Sequence, residues 1–257
     1  MTIYDISEKA GVSIATVSRV LNGSSRVSEK TRQKVLDAIE KYGYTPNAFA
    51  RGLGLNTMKT IGILCADSSD LYLAKAVYYI EQKLRFNGYD SILCCTGYDS
   101  QAKAASMNLL IGKKVDAVIL TGSNFVHDQN EDNQYIADAA LRLPVMLLNA
   151  VLDYPNVYSI VSDDFSSMYE AARQMLSTGI KDILYFYNSG SYSGQKKLAG
   201  FRAAMKEAGL LDEDLICRYN GSQEDILAMT AYLKKLHEAG LAFHGVIASD
   251  DSLALAA

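Results

Sequence analysis

Residues 2–23, TIYDISEKAGVSIATVSRVLNG, decide how the chain is read. Thr2 stands three residues before Asp5, the spacing of a reciprocal cap at a helix start, and Gly11 follows Ala10 where a helix stop is expected. A second helix begins at once. Ser13 is its natural cap, and over Ile14 to Leu21 the residues Val17, Val20 and Leu21 recur at spacings of three and four, so they share one side. Ser18, Arg19 and Asn22 belong to the polar remainder. Two helices joined by so short a glycine-containing turn leave the second propped out from the first, which is the geometry that lays a recognition helix in the major groove of DNA. Ile14, Ala15, Thr16, Ser18 and Arg19 are then expected to face the bases.

After a polar loop, Ser28 caps a third expected helix, SEKTRQKVLDAIEKYG, with Val35, Leu36, Ile39 and Tyr42 as the inward stripe and Gly43 as its left-handed stop. The next run, YTPNAFARGL (residues 44–53), has Thr45 as cap and Pro46 at the first helical position. Only about two turns follow, too few for a helix stable alone in water, so residues 46–53 are expected to fold only when held.

These three stretches, TIYDISEKAGVSIATVSRVLNG, RVSEKTRQKVLDAIEKYGY and YTPNAFARGL, resemble the lactose-repressor family of bacterial transcription regulators. The resemblance implies a helix-turn-helix head on residues 1–59. It implies DNA contacts from Thr2, Tyr4, Ser13, Asn22, Arg26, Val27, Thr31, Tyr44, Asn47 and Ala50 beside the recognition-helix residues. In that family paired hinge helices order on the operator and a leucine from each enters the minor groove; the matching residue is Leu53. Such a wedge costs a few kcal/mol of unstacking and gains a bend that enlarges the interface.

Charge is distributed in keeping with this. The 257-residue chain has a formal net charge of -4, but residues 1–59 hold nine Lys and Arg against five Asp and Glu, so a basic head precedes an acidic remainder. No signal-like start and no apolar run of membrane-spanning length is present, so a cytoplasmic protein is expected. Cys65, Cys94, Cys95 and Cys217 lack paired metal spacing and read as buried free thiols; His127, His237 and His244 are scattered and read as structural or surface residues. No nucleophile elbow, phosphate loop or metal cluster supports an enzyme, and no cofactor is expected.

Beyond GLNTMKT the texture becomes alternating short apolar runs and amphipathic helices. Strands are expected at Thr60 to Ala66, Ser91 to Cys95, Ala117 to Leu120, Val145 to Asn149, Ser159 to Ser162, Ile183 to Tyr187, Leu215 to Arg218 and Gly245 to Ala248, with helices between them. Such alternation implies an α/β fold of parallel sheets covered by helices on both faces. In such sheets ligands bind beyond the carboxyl ends of the strands, and a cleft between two lobes is the natural site.

DSSDLYLAKAVYYIE, KKVDAVIL, LPVMLLNA, KKLAGFRAAMKEAGL and ASDDSLALAA carry the same family resemblance. It implies two doubly wound lobes of periplasmic-binding-protein type, on residues 60–160 and 161–257. It also implies a small-molecule effector between them, a sugar or sugar phosphate, and a homodimer on pseudo-palindromic operator DNA. The effector contacts it implies are Ser68, Tyr72 and Asn149 from the first lobe and Ser191, Ser193, Lys197, Asn220 and Asp251 from the second, with Asp250 as the alternative carboxylate. Asp251 reads equally well as an ordinary helix cap.

Lys197 stands where the family often bears arginine, which keeps the charge but loses the two-pronged fork; some carbon-catabolite regulators of the family look similar there. Leu71 stands where proline is common and Ala150 where arginine is common, and no aromatic floor residue is evident near Asn220. Family members continue past the position of Ala257, so an incomplete second lobe with an open sheet edge is expected. The competing function class is a cytoplasmic solute-binding or sugar-processing α/β protein with a helical appendage. Sequence-selective DNA binding separates the two.

Overall fold

The computed structural model describes residues 1–45, 57–127, 130–221 and 225–257. Asn47, Ala50 and Leu53, with the rest of the hinge expected at 46–53, lie outside the described residues.

The head is three helices, α1 (Ile3–Ala10), α2 (Ile14–Leu21) and α3 (Glu29–Tyr42). Each begins at a side-chain cap: Thr2 accepts from the Asp5 N–H, Ser13 from that of Thr16 and Ser28 from that of Thr31. Gly11 and Gly43 sit at φ of 58° and 59°, the left-handed conformation in which a glycine ends a helix without strain. Ile6, Ala10, Val17, Val20, Val35 and Ala38 are the buried core. The stripe expected on α3 is corrected here: Leu36 and Tyr42 are 41% and 37% exposed, and Ala38 takes the inward position with Val35 and half-buried Ile39.

Strands and helices then alternate: β1 (Thr60–Cys65), α4 (Leu71–Phe86), β2 (Asp90–Cys95), α5 (Ser100–Gly112), β3 (Ala117–Thr121), α6 (Gln134–Ala140), β4 (Val145–Leu148) and β5 (Val157–Ile160). All pairings are parallel, in the order β2-β1-β3-β4-β5. β1 and β3 are near-continuous apolar runs because helices cover both faces, and the Leu110 side chain of α5 packs closely over Gly62, its methyl 2.6 Å from where a Cβ would be. The fifth strand begins two residues earlier than its apolar pattern suggests. Asn156, at φ 65°, turns the chain so that Val157 pairs with Val145, and the strand ends at Ile160 instead of Ser162.

A second parallel sheet, β7-β6-β8, is built from β6 (Ile183–Tyr187), β7 (Ile216–Arg218) and β8 (Gly245–Ala248), with α7 (Asp164–Ser177), α8 (Tyr192–Glu207), α9 (Ile226–Glu238) and α10 (Asp251–Ala256) around it. α7 and α8 pack backbone to backbone at Gly200, where a Cβ would stand 2.2 Å from the Phe165 carbonyl oxygen. The thiols are not uniformly buried: Cys65 is, Cys94 and Cys217 are half-buried and Cys95 is exposed, because β2 is an edge strand with one open side. His244, exposed just before β8, has a carboxylate beside it: its Nδ1 lies 3.1 Å from Asp182, which precedes β6.

Where the chain enters the first sheet, one carboxylate holds it. Asp116, just before β3, accepts from the Thr57 hydroxyl at 2.8 Å and the Met58 and Thr60 N–H groups at 2.9 and 3.1 Å, and its own N–H donates to the Thr60 carbonyl at 2.8 Å. Asp116→Ala is expected to lower the stability of this lobe by about 2 kcal/mol, since half-buried donors lose a charged acceptor. Urea unfolding would show it as a lower midpoint with an unchanged slope.

Candidate functional site

Two surfaces carry the sequence-derived candidates. On the head, α2 turns Val17 and Val20 into the core, and this leaves Ser13, Ile14, Ala15 and Arg19 exposed along its other side, with Asn22 at its end. The Arg19 carbonyl accepts from the Ser24 N–H at 2.9 Å, but its side chain makes no hydrogen bond or ion pair among the described residues, so the guanidinium fork is open to a partner. The hydroxyls of Ser13 and Thr16 bond each other at 2.9 Å, and the Asn22 amide reaches the Ser18 hydroxyl at 3.5 Å. Thr2 and Tyr4 are exposed at the start of α1, and Arg26 is exposed on the loop before α3. That loop is fixed from beneath by Arg32, whose guanidinium donates to the Ser24 carbonyl at 2.6 Å. Val27 and Tyr44 are half-buried and pack on the head core, and Thr31 is half-buried with its hydroxyl on Ser28.

The second surface is a cavity of about 340 Å³ between the two sheets, at the carboxyl ends of their strands. Of the expected effector residues, Tyr72, Asn149, Ser191, Ser193, Lys197 and Asp250 line it. Ser68, Asn220 and Asp251 do not: all three are exposed away from it. Of the paired aspartates, Asp250 is the one that lines the cavity. Asp250 is the N-cap of α10 and turns one oxygen to the Leu253 N–H at 2.9 Å, whereas Asp251 is already inside the first turn and points outward.

Each wall is held by defined contacts. Asn149, at φ 59° just past β4, donates to the Tyr72 hydroxyl at 2.6 Å, and asparagine is one of the few residues that tolerates this backbone. Asp70 caps α4 through the Leu73 N–H at 2.8 Å. Ser123 donates to Ser191 across the cleft at 2.9 Å, and Ser191 in turn caps α8 by accepting from Gly194. The Lys197 ammonium donates to the Ser249 carbonyl at 2.9 Å, which ties α8 to the end of β8. Behind the first wall lies Lys103, buried on α5, which donates to the Asn124 carbonyl at 2.6 Å; burial holds its pKa below the ordinary lysine value.

Sequence reasoning missed Asp70, Tyr98, Asn124, Asp164 and Asn188, all of them in the cavity wall. The positions just after strands β3 and β6, and the first turns of α4 and α7, were the available signal. Tyr98 is an aromatic in the wall contributed by the first lobe, not by the neighbourhood of Asn220.

Residues 2–47 match the lacI family of bacterial regulatory proteins, and residues 58–257 match the periplasmic binding proteins and sugar binding domain of that family. The chain belongs to the lacI family. Within it, the chain is 52% identical over 256 residues to an HTH-type transcriptional regulator of Lachnoclostridium phytofermentans, covering 99% of this chain and 76% of that one. It is 35% identical over 225 residues to the HTH-type transcriptional regulator DegA of Bacillus subtilis, covering 87% and 66%. In fold it is similar to the lac repressor dimer bound to operator and the anti-inducer ONPF, with a TM-score of 0.86 at 22% identity over 100% of this chain and 76% of that one. A helix-turn-helix head followed by parallel-sheet lobes of periplasmic-binding type is thus both the fold found here and that of its family.

Proposed function

We propose that this lacI-family chain represses genes of carbohydrate metabolism and that a small molecule in the cleft between its lobes sets its affinity for operator DNA. The observation that carries this is the exposed side of α2, with Arg19 unpaired, in a chain that also holds a polar cavity between two parallel-sheet lobes. In this reading residues 1–59 are the head, with a hinge at 46–53, residues 60–160 the first lobe and residues 161–257 the second. The protein works by binding and not by catalysis, in the cytoplasm where its operator is, and as a homodimer, because two heads are needed for two half-sites. The outer face of α4, with Tyr79 and Phe86 65% and 84% exposed, offers apolar area that a second copy would cover.

Selection from a random DNA pool, followed by shift assays on the enriched site, tests the proposal. A pseudo-palindromic site is expected, and failure to enrich any sequence would refute it. Arg19→Ala should cost about 1–3 kcal/mol at its contacted base pair and relax the preference there, since a bidentate contact to guanine is lost while phosphate contacts remain. An unchanged preferred site would remove α2 from the interface.

A further inference from the structure

We infer that the cleft selects an uncharged polyhydroxy ligand, a free sugar, and rejects the same sugar once it is phosphorylated. The inference rests on the reading of the cleft as an effector site and specifies its chemistry.

Charge is the first ground. Asp70, Asp164 and Asp250 line the cavity, and Lys197 is the one basic residue among the described residues of its wall. Strand ends of parallel sheets face helix starts, and helix starts attract anions. Here those starts are already served by the chain's own carboxylates. Asp70 accepts from α4, Asp250 from α10, and Asp163 accepts from the Ser166 N–H of α7, with Asp164 in the same first turn. Of the described helices that start at the cavity, α8 alone has a neutral cap, Ser191, and there the Ser189 carbonyl oxygen lies against the first turn, 2.3 Å from where a Cβ on Gly194 would be. The single ammonium, on Lys197, is held by the Ser249 carbonyl next to Asp250. A phosphate entering this cleft would meet three carboxylates and one engaged cation.

Unsatisfied polar atoms are the second ground. Asn124 Oδ1, on the first-lobe wall, and Asn188 Nδ2, on the second, are buried without partners, and both residues line the cavity. Tyr185 is fully buried and its hydroxyl also has no partner; Asp164 and Asp250 are close enough to act on it electrostatically. A ligand hydroxyl both donates and accepts, so it can satisfy either amide in either orientation, and the carboxylate oxygens left free by capping accept only. Several hydroxyls on a neutral frame match this wall. A phosphoryl group, an acceptor at neutral pH, could take the Asn188 amide N–H but has no proton for the Asn124 oxygen or for the three carboxylates. A ligand so selected is supplied by hydrolysis of a glycoside or by uptake, and is removed by the class of reaction that transfers a phosphoryl group from a nucleoside triphosphate to a sugar hydroxyl.

The test is titration calorimetry on the full chain with glucose, fructose, ribose and xylose, and with glucose 6-phosphate, fructose 6-phosphate and ribose 5-phosphate. At least one free sugar is expected to bind, and its phosphate to bind at least tenfold and on the order of 100-fold more weakly. Asp164→Asn, which leaves the α7 cap Asp163 in place, should narrow that ratio by about tenfold. A phosphate that binds within tenfold of its free sugar overturns the inference and leaves the effector reading standing. No binding by either class overturns the effector reading itself. A ratio unchanged in Asp164→Asn removes the carboxylates as its cause.

Discussion

Gly200→Ala is expected to destabilise the second lobe by about 3 kcal/mol or more. The new carbon would stand 2.2 Å from the Phe165 carbonyl oxygen, 3.0 Å from its carbon and 3.1 Å from the Tyr169 nitrogen. All three are backbone atoms of α7, so no side chain can swing aside, and the two helices must separate. Separation would loosen Phe201, Ala204 and Met205 from the core they share with Met168 and Ala172. Overpacking of this kind typically costs about 1–3 kcal/mol, and contact with rigid backbone sets it at the upper end or beyond. Thermal unfolding should show the loss, and amide exchange should place it in α7 and α8. A variant as stable as the parent would mean that the helices do not approach as described.

Asp250→Ala is expected to weaken effector binding by about 1–3 kcal/mol, because the ligand groups it pairs with would be left unmatched, and to cost about 1 kcal/mol of stability through the lost α10 cap. Asp251→Ala should change the affinity little, since that side chain is exposed and outside the cavity. The pair of variants separates ligand contact from helix capping. Calorimetry with any sugar that binds decides it: equal losses in both variants, or a loss only in Asp251→Ala, would move the site by one residue.

Residues Asp250 and Asp251 also show where sequence reasoning reached its limit. Both are carboxylates at a helix start, and which one is the cap depends on where β8 releases the chain, a matter of one residue that periodicity does not resolve. The head was legible almost to the residue, because Thr2, Ser13 and Ser28 are caps with short-range partners and Gly11 and Gly43 are stops. Parallel strands such as β1 and β3 were legible as apolar runs for the same local reason. The α3 stripe was misjudged at Leu36 and Tyr42 because a helix pattern does not say how much room its neighbours leave. Asp70, Asn124, Asp164 and Asn188 were missed because they meet only in space, each at the end of a different strand or the start of a different helix.

The bonds that Asp116 makes to residues 57–60 have a mechanical consequence. They fasten Thr57 and Met58, which lead directly into β1, to the sheet that forms one wall of the cleft. A rotation of that sheet would carry Thr57 with it, as a shaft carries the crank pinned to it. Asp116→Ala would take out that pin, and Thr57 and Met58 would no longer be tied to the sheet through a carboxylate.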